Sequence, residues 1–135
     1  MAQKLKIGKI DVKLFEILNP MLGNALSALM QKEVSAKTAF AMIKIIDERA
    51  VHIKDFEAAK KLLLEQYCDK DDMGGFLLNE SKTEYLVRDK PEFEKKVNDL
   101  TQVEIQMTNL DKADIEKLSS ITAGQLIALK PVIKE

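Results

Sequence analysis

The sequence predicts an α+β fold, mainly α: an antiparallel helical hairpin with one long helix, a small antiparallel sheet and short C-terminal helices. Three observations predict it. Residues 36–67 hold no Gly and no Pro and carry apolar residues at helical spacing. Short alternating stretches near the N-terminus and at 102–107 read as strands. The tail carries helix-capping residues at close intervals.

The elements follow in chain order. Leu5 and Ile7 alternate with Lys4, Lys6 and Gly8, a strand with the lysine-rich outer face common on sheet edges. Asp11 is placed to cap a first helical segment over 12–18. Asn19-Pro20 restarts the helix, because Asn caps and Pro at the first helical position loses no needed hydrogen bond. The second piece, 20–32, should bury Leu22, Ala25, Leu26, Leu29 and Met30. Gly23 within it either permits a close helix crossing or simply weakens the helix. Only a short link separates this piece from the long helix, so the two should fold back antiparallel.

Ser35 is the natural N-cap of the long helix, Ala36–Tyr67. Its apolar stripe reads Ala39, Met42, Ile43, Ile46, Ala50, Ile53, Phe56, Leu63 and Tyr67. Lys44, Asp47, Glu48, Lys54, Asp55 and Lys61 fill the other side. At a rise of ~1.5 Å per residue the helix is on the order of 50 Å long. A globule of this chain length has a radius of gyration of only ~14 Å. The helix should therefore need a partner along its length, from this chain or another copy. Met42, Ile43, Ile46, Ala50, Ile53 and Phe56 are the candidate interface residues.

Residues 68–75 read as a loop, followed by a hairpin with 79–82 at its tip. Phe76 and Leu78 share one face of its first strand, and Tyr85 and Val87 share one face of the second. Asp89 should cap a helix over 90–100 with Phe93, Val97 and Leu100 on one side. Gln102–Met107 is a strand with Val103, Ile105 and Met107 facing in. One short helix should follow Asp111. Another should start at Thr122, which forms a capping box with Gln125, and end at Pro131.

The order of these parts resembles that of a group of small phage- and prophage-encoded proteins of uncharacterised function. The segments that carry the resemblance are AKTAF at 36–40, FEAAKKLLLEQY at 56–67, the acidic-glycine turn, FEKKVNDLTQVEIQM at 93–107 and ITAGQLIALKPVI at 121–133. The resemblance implies a phage accessory or assembly protein made in a bacterial host. None of the segments is a catalytic signature.

Composition narrows the function classes. The 135 residues suit a single domain, 1–135, able to bury a core without metals or disulfides. A net charge of −1 argues against a general nucleic-acid binder, which must neutralise many phosphates. Arg49 and Arg88 are the only arginines. Cys68 is the only cysteine, so no internal disulfide forms and a reducing compartment fits. No run approaches the ~20 apolar residues that span a bilayer, and the N-terminus lacks an apolar signal core. The reading is cytoplasmic.

The nearest chemical motif is a calcium loop at 69–80. Asp69, Asp71, Gly74, Phe76 and Glu80 match an EF-hand, making Asp69, Asp71 and Glu80 the candidate metal ligands. Met73 and Leu77 occupy positions that call for oxygen, and the next segment reads as a strand. A solvated acidic turn is the plainer reading. His52 is the only histidine and has no second ligand nearby, so it reads as the edge of a helix seam. Cys68 ends a helix beside Asp69, a polarity that disfavours a thiolate. Gly74-Gly75 sits among aspartates without a Walker lysine, so it is no phosphate loop. Glu57 with Lys60 and Lys61 reads as surface ion pairing. The methionines read as core filling, with an adaptable binding groove as the alternative.

No nucleophile–base set and no cofactor motif emerges. The expectation is a non-enzymatic phage protein acting by protein–protein interaction, as a homo-oligomer or on a phage or bacterial host protein. The alternative is a protein that sequesters a host nucleotide signal, with N-terminal lysines and Arg88 supplying phosphate contacts.

Overall fold

A computed structural model describes residues 7–118 and 120–135. In chain order the elements are β1 (Lys9–Lys13), α1 (Leu14–Leu18), α2 (Pro20–Leu29), α3 (Ala36–Tyr67), α4 (Lys90–Thr101), β2 (Glu104–Thr108), β3 (Leu110–Asp111), α5 (Lys112–Glu116), α6 (Ala123–Leu129), a 3-10 turn (Lys130–Val132) and β4 (Ile133–Lys134). The fold is α+β and mainly α, as the sequence predicts. The contacts group into two units, Met1–His52 with Val103–Glu135, and Ile53–Gln102. Helix α3 contributes residues to both.

In the first unit, β1 and β2 pair antiparallel, from Lys9 opposite Thr108 to Lys13 opposite Glu104. Alternation turns Val12 and Met107 into the core and leaves Lys9, Asp11, Lys13, Glu104 and Gln106 exposed. The described ladder lies just C-terminal to the expected N-terminal strand. Lys4, Leu5 and Lys6 lie outside the described residues, and the ladder starts at Lys9. Asp11 is therefore a strand residue and caps nothing. The first turn of α1 is held instead by Glu16, whose Oε2 accepts from the Lys13 N–H at 3.0 Å. Strand β2 begins at Glu104, and Val103 is exposed, contrary to expectation.

Asn19 restarts the helix as predicted, its Oδ1 accepting from the Met21 N–H at 3.0 Å. Leu22, Ala25, Leu26 and Leu29 are buried, while Met30 is half exposed because α2 stops at Leu29. The chain then reverses. Arg49 on α3 donates through Nε to the carbonyl of Ile17 at 2.7 Å and through Nη2 to that of Asn19 at 3.4 Å. Its guanidinium thus serves the carbonyls freed at the α1–α2 break. The Arg49 guanidinium lies close over Gly23, where a Cβ would stand 3.0 Å from its Nη1. The core of this unit includes Ile17, Leu26, Met42, Ile45, Met107 and Leu129, all essentially without solvent exposure.

The tail folds largely as its caps predict. Thr122 and Gln125 make the reciprocal capping box, at 3.1 and 3.0 Å. Helix α6 ends at Leu129 and the chain passes through Pro131 in a 3-10 turn. The parallel pairing of β3 with β4 was not legible, because each strand has two residues.

The second unit contains the C-terminal part of α3 and helix α4. Asp89, in a left-handed conformation, caps α4 by accepting from the Glu92 N–H at 3.4 Å. Phe93 on α4 stacks obliquely on Tyr67, with ring centroids 5.9 Å apart. Phe93, Val97 and Leu100 are half-buried, on one side of the helix as expected. The expected hairpin forms only as isolated bridges: Lys70 to Phe76, Leu78 to Tyr85 and Cys68 to Val87. Its tip, 79–84, is organised by Asn79, whose Oδ1 accepts from the Thr83 N–H at 2.9 Å.

Candidate interaction surface

Within the first unit, α3 is apolar on two faces. Thr38, Ala41, Met42 and Ile45 are buried and form the core face. Ser35 caps the helix as predicted, its hydroxyl accepting from the Thr38 N–H at 3.2 Å. Two charged residues flank the same side. Arg49 serves the α1–α2 break. Glu48, expected on the solvated side, is half-buried and accepts from Thr108 through both carboxylate oxygens.

The other face is apolar and uncovered. Ala36, Ala39, Phe40, Ile43 and Ala50 are exposed, and Ile46 is half-buried. Phe40 is 51% exposed, Ile43 47% and Val51, at its margin, 56%. With 3.6 residues per turn this face lies roughly 120° round the helix from the core face. Scattered exposed apolar residues are normal; a contiguous row along one helix is informative. Lys44 and Asp47 border it. The Lys44 ammonium lies over the Phe40 ring, 5.8 Å from its centroid. Asp47 has no ion-pair partner within 4.0 Å among the described residues.

The six expected interface residues therefore divide. Met42 is a correction: at 1% exposure it is core and unavailable to a partner. It sits between the two apolar faces in sequence, which is why its spacing fits both. Ile43 and Ala50 are on the uncovered face, with Ile46 at its edge. Ile53 and Phe56 are half-buried in the second unit. That unit has a smaller exposed apolar group of its own at Leu77, Leu78, Tyr85 and Leu86.

The calcium-loop residues make a turn. The Asp71 Oδ1 accepts from the N–H groups of Met73 at 2.9 Å and Gly75 at 3.0 Å, and Gly74 supplies the positive φ of 85°. Asp69 faces Arg88 at 3.7 Å, and Glu80 lies in the 79–84 turn. Among the described residues no three His, Cys, Asp or Glu side chains are placed to hold a metal ion. Arg88 also donates to the Gln66 carbonyl at 3.0 Å, so its guanidinium serves the end of α3. Cys68 is buried, its Sγ 3.5 Å from the carbonyl oxygens of Asp69 and Leu77.

Two clefts of the first unit lie beside α2. One of about 270 Å³ between α2 and α6 is lined by Met21, Ala25, Gly124, Gln125 and their neighbours, with no titratable side chain. Another, near the end of α2, contains Lys32, whose Nζ already donates to Ser120 Oγ at 2.8 Å and to the Ser120 carbonyl at 3.1 Å. Lys37 is paired with Asp111, and that hydrogen bond raises its pKa above the ordinary 10.5. No described helix is long and apolar enough to cross a membrane. Comparisons with protein-family models, with curated proteins and with solved structures gave no match.

Proposed function

We propose that this chain is a phage-encoded accessory or assembly protein that works by binding protein rather than by catalysis, in the cytoplasm of a bacterial host. One observation carries the interaction reading: the uncovered apolar face of α3 in the first unit, with Phe40 and Ile43 about half exposed. A helix that already has a complete core face has no internal need for a second apolar row. The row costs solubility unless a partner covers it. The phage origin rests on the order of segments described above.

The test uses the purified full chain and its Ile43→Lys variant. Hydrogen exchange is followed along 36–50 while each protein is titrated with itself, and then with host and phage protein fractions. The reading expects protection of 36–50 in the wild type and none in the variant, at equal helix content by circular dichroism. Equal exchange under all conditions would overturn it.

A further inference from the structure

We propose that the uncovered face of α3 is a two-fold antiparallel seam between two copies of this chain, with Ile43 and Ile46 at its centre and Lys44 of each copy against Asp47 of the other. This names the partner for the interaction surface and rests on that reading.

The spacing points to a helix as the occupant. Ala36, Ala39, Ile43, Ile46 and Ala50 are separated by three, four, three and four residues. That is the heptad repeat of a coiled-coil seam, narrower than the stripe a helix turns to a globular core. The core face of the same helix, at Thr38, Ala41, Met42 and Ile45, is already filled. The small residues Ala36, Ala39 and Ala50 let another helix approach closely on either side of the central isoleucines.

Charge selects the second copy and its direction. The seam has one open flank, bearing Phe40, Lys44 and Asp47. On its other flank Met42 and Arg49 are committed to the first unit. Antiparallel pairing sets open flank against open flank, and committed flank against committed flank. Parallel pairing would set the open flank of each copy against a committed one. When Ile43 of each copy meets Ile46 of the other, Ala39 meets Ala50. Lys44 then lies within about 3 Å, along the axis, of the partner's Asp47. The two-fold makes this pair twice, and it supplies an ion-pair partner that Asp47 lacks among the described residues of one copy. Opposed charges at such positions fix register and orientation.

Charge exchange tests the arrangement. Lys44→Asp and Asp47→Lys are both at exposed positions, and circular dichroism checks that each variant folds. Each alone puts like charges at both sites of its own dimer. Sedimentation should show self-association weakened at least about tenfold in each. An equimolar mixture restores opposite charges at both sites, and its association should return to within about threefold of wild type. Misfolding cannot produce that recovery. A wild type that stays monomeric, or a mixture no tighter than the single variants, overturns the proposal. A monomeric wild type that binds another protein through Ile43 would overturn the second-copy seam alone. Loss of both associations from the Ile43 face would overturn the interaction reading as well.

Discussion

Glu48 holds Thr108 with both oxygens of its carboxylate: Oε1 accepts from the Thr108 N–H at 2.7 Å and Oε2 from its hydroxyl at 2.8 Å. Thr108 is fully buried at the end of β2. The N–H at this position points away from β1, so no ladder bond satisfies it. A charged helix residue completes the sheet edge instead. Hydrogen bonds to a charged acceptor contribute more than neutral ones, and a buried donor left without a partner is costly.

Glu48→Leu should therefore destabilise the chain by about 2–4 kcal/mol, because two buried donors lose their acceptor. Glu48→Gln keeps an acceptor for the N–H and should cost about 1 kcal/mol. Urea unfolding of the three proteins measures this directly. Equal midpoints for wild type and Glu48→Leu would mean the pair does not hold β2.

Gly8 leads into β1 where Asn109 closes the ladder, the Asn109 N–H donating to the Gly8 carbonyl at 3.0 Å. A Cβ on Gly8 would stand 2.5 Å from Asn109 Oδ1. That oxygen is buried and has no hydrogen-bond partner among the described residues. Gly8→Ala should cost about 1–3 kcal/mol through overpacking, whereas Gly8→Ala combined with Asn109→Ala should recover part of the loss. Thermal unfolding of the cycle checks the coupling. Additive losses would show that the close approach is not the cause.

Lys37 sets a pH dependence. Its hydrogen bond to Asp111 raises the lysine pKa above the ordinary 10.5. A raised folded-state pKa means that the stabilisation is fully present below 10.5 and is lost as pH rises through the higher folded value. The pair is partly exposed, so its contribution is small. Lys37→Met should melt below wild type at neutral pH, and the gap should narrow as pH rises above 10.5. A gap independent of pH would assign the effect to packing of the side chain.

Local signals were legible wherever one residue does one job. Ser35, Asn19, Asp89 and Thr122 cap the helices they precede, and α3 runs over its expected residues. Signals with two meanings were not. Lys9–Lys13 alternates as a strand should, but its partner lies over ninety residues away and an aspartate in it resembles a cap. On α3, the rows containing Ala41 and Ile45, and Ile43 and Ala50, both have helical spacing. Only the tertiary fold shows which one is its own core. Met42 and Glu48 were misplaced for that reason. The metal candidates matched a loop by residue type, whereas the Asp71 carboxylate is taken up by backbone N–H groups of its own turn.

The central claim is that the Phe40–Ile43 face of α3 joins two copies of this chain, and solution mass tests it most directly. Light scattering across a wide concentration range should show the wild type rising from the monomer mass of 15.2 kDa to twice that value. Ile43→Lys, with unchanged helix content, should remain at the monomer mass throughout. A folded wild type that stays monomeric at the highest concentration would contradict the account.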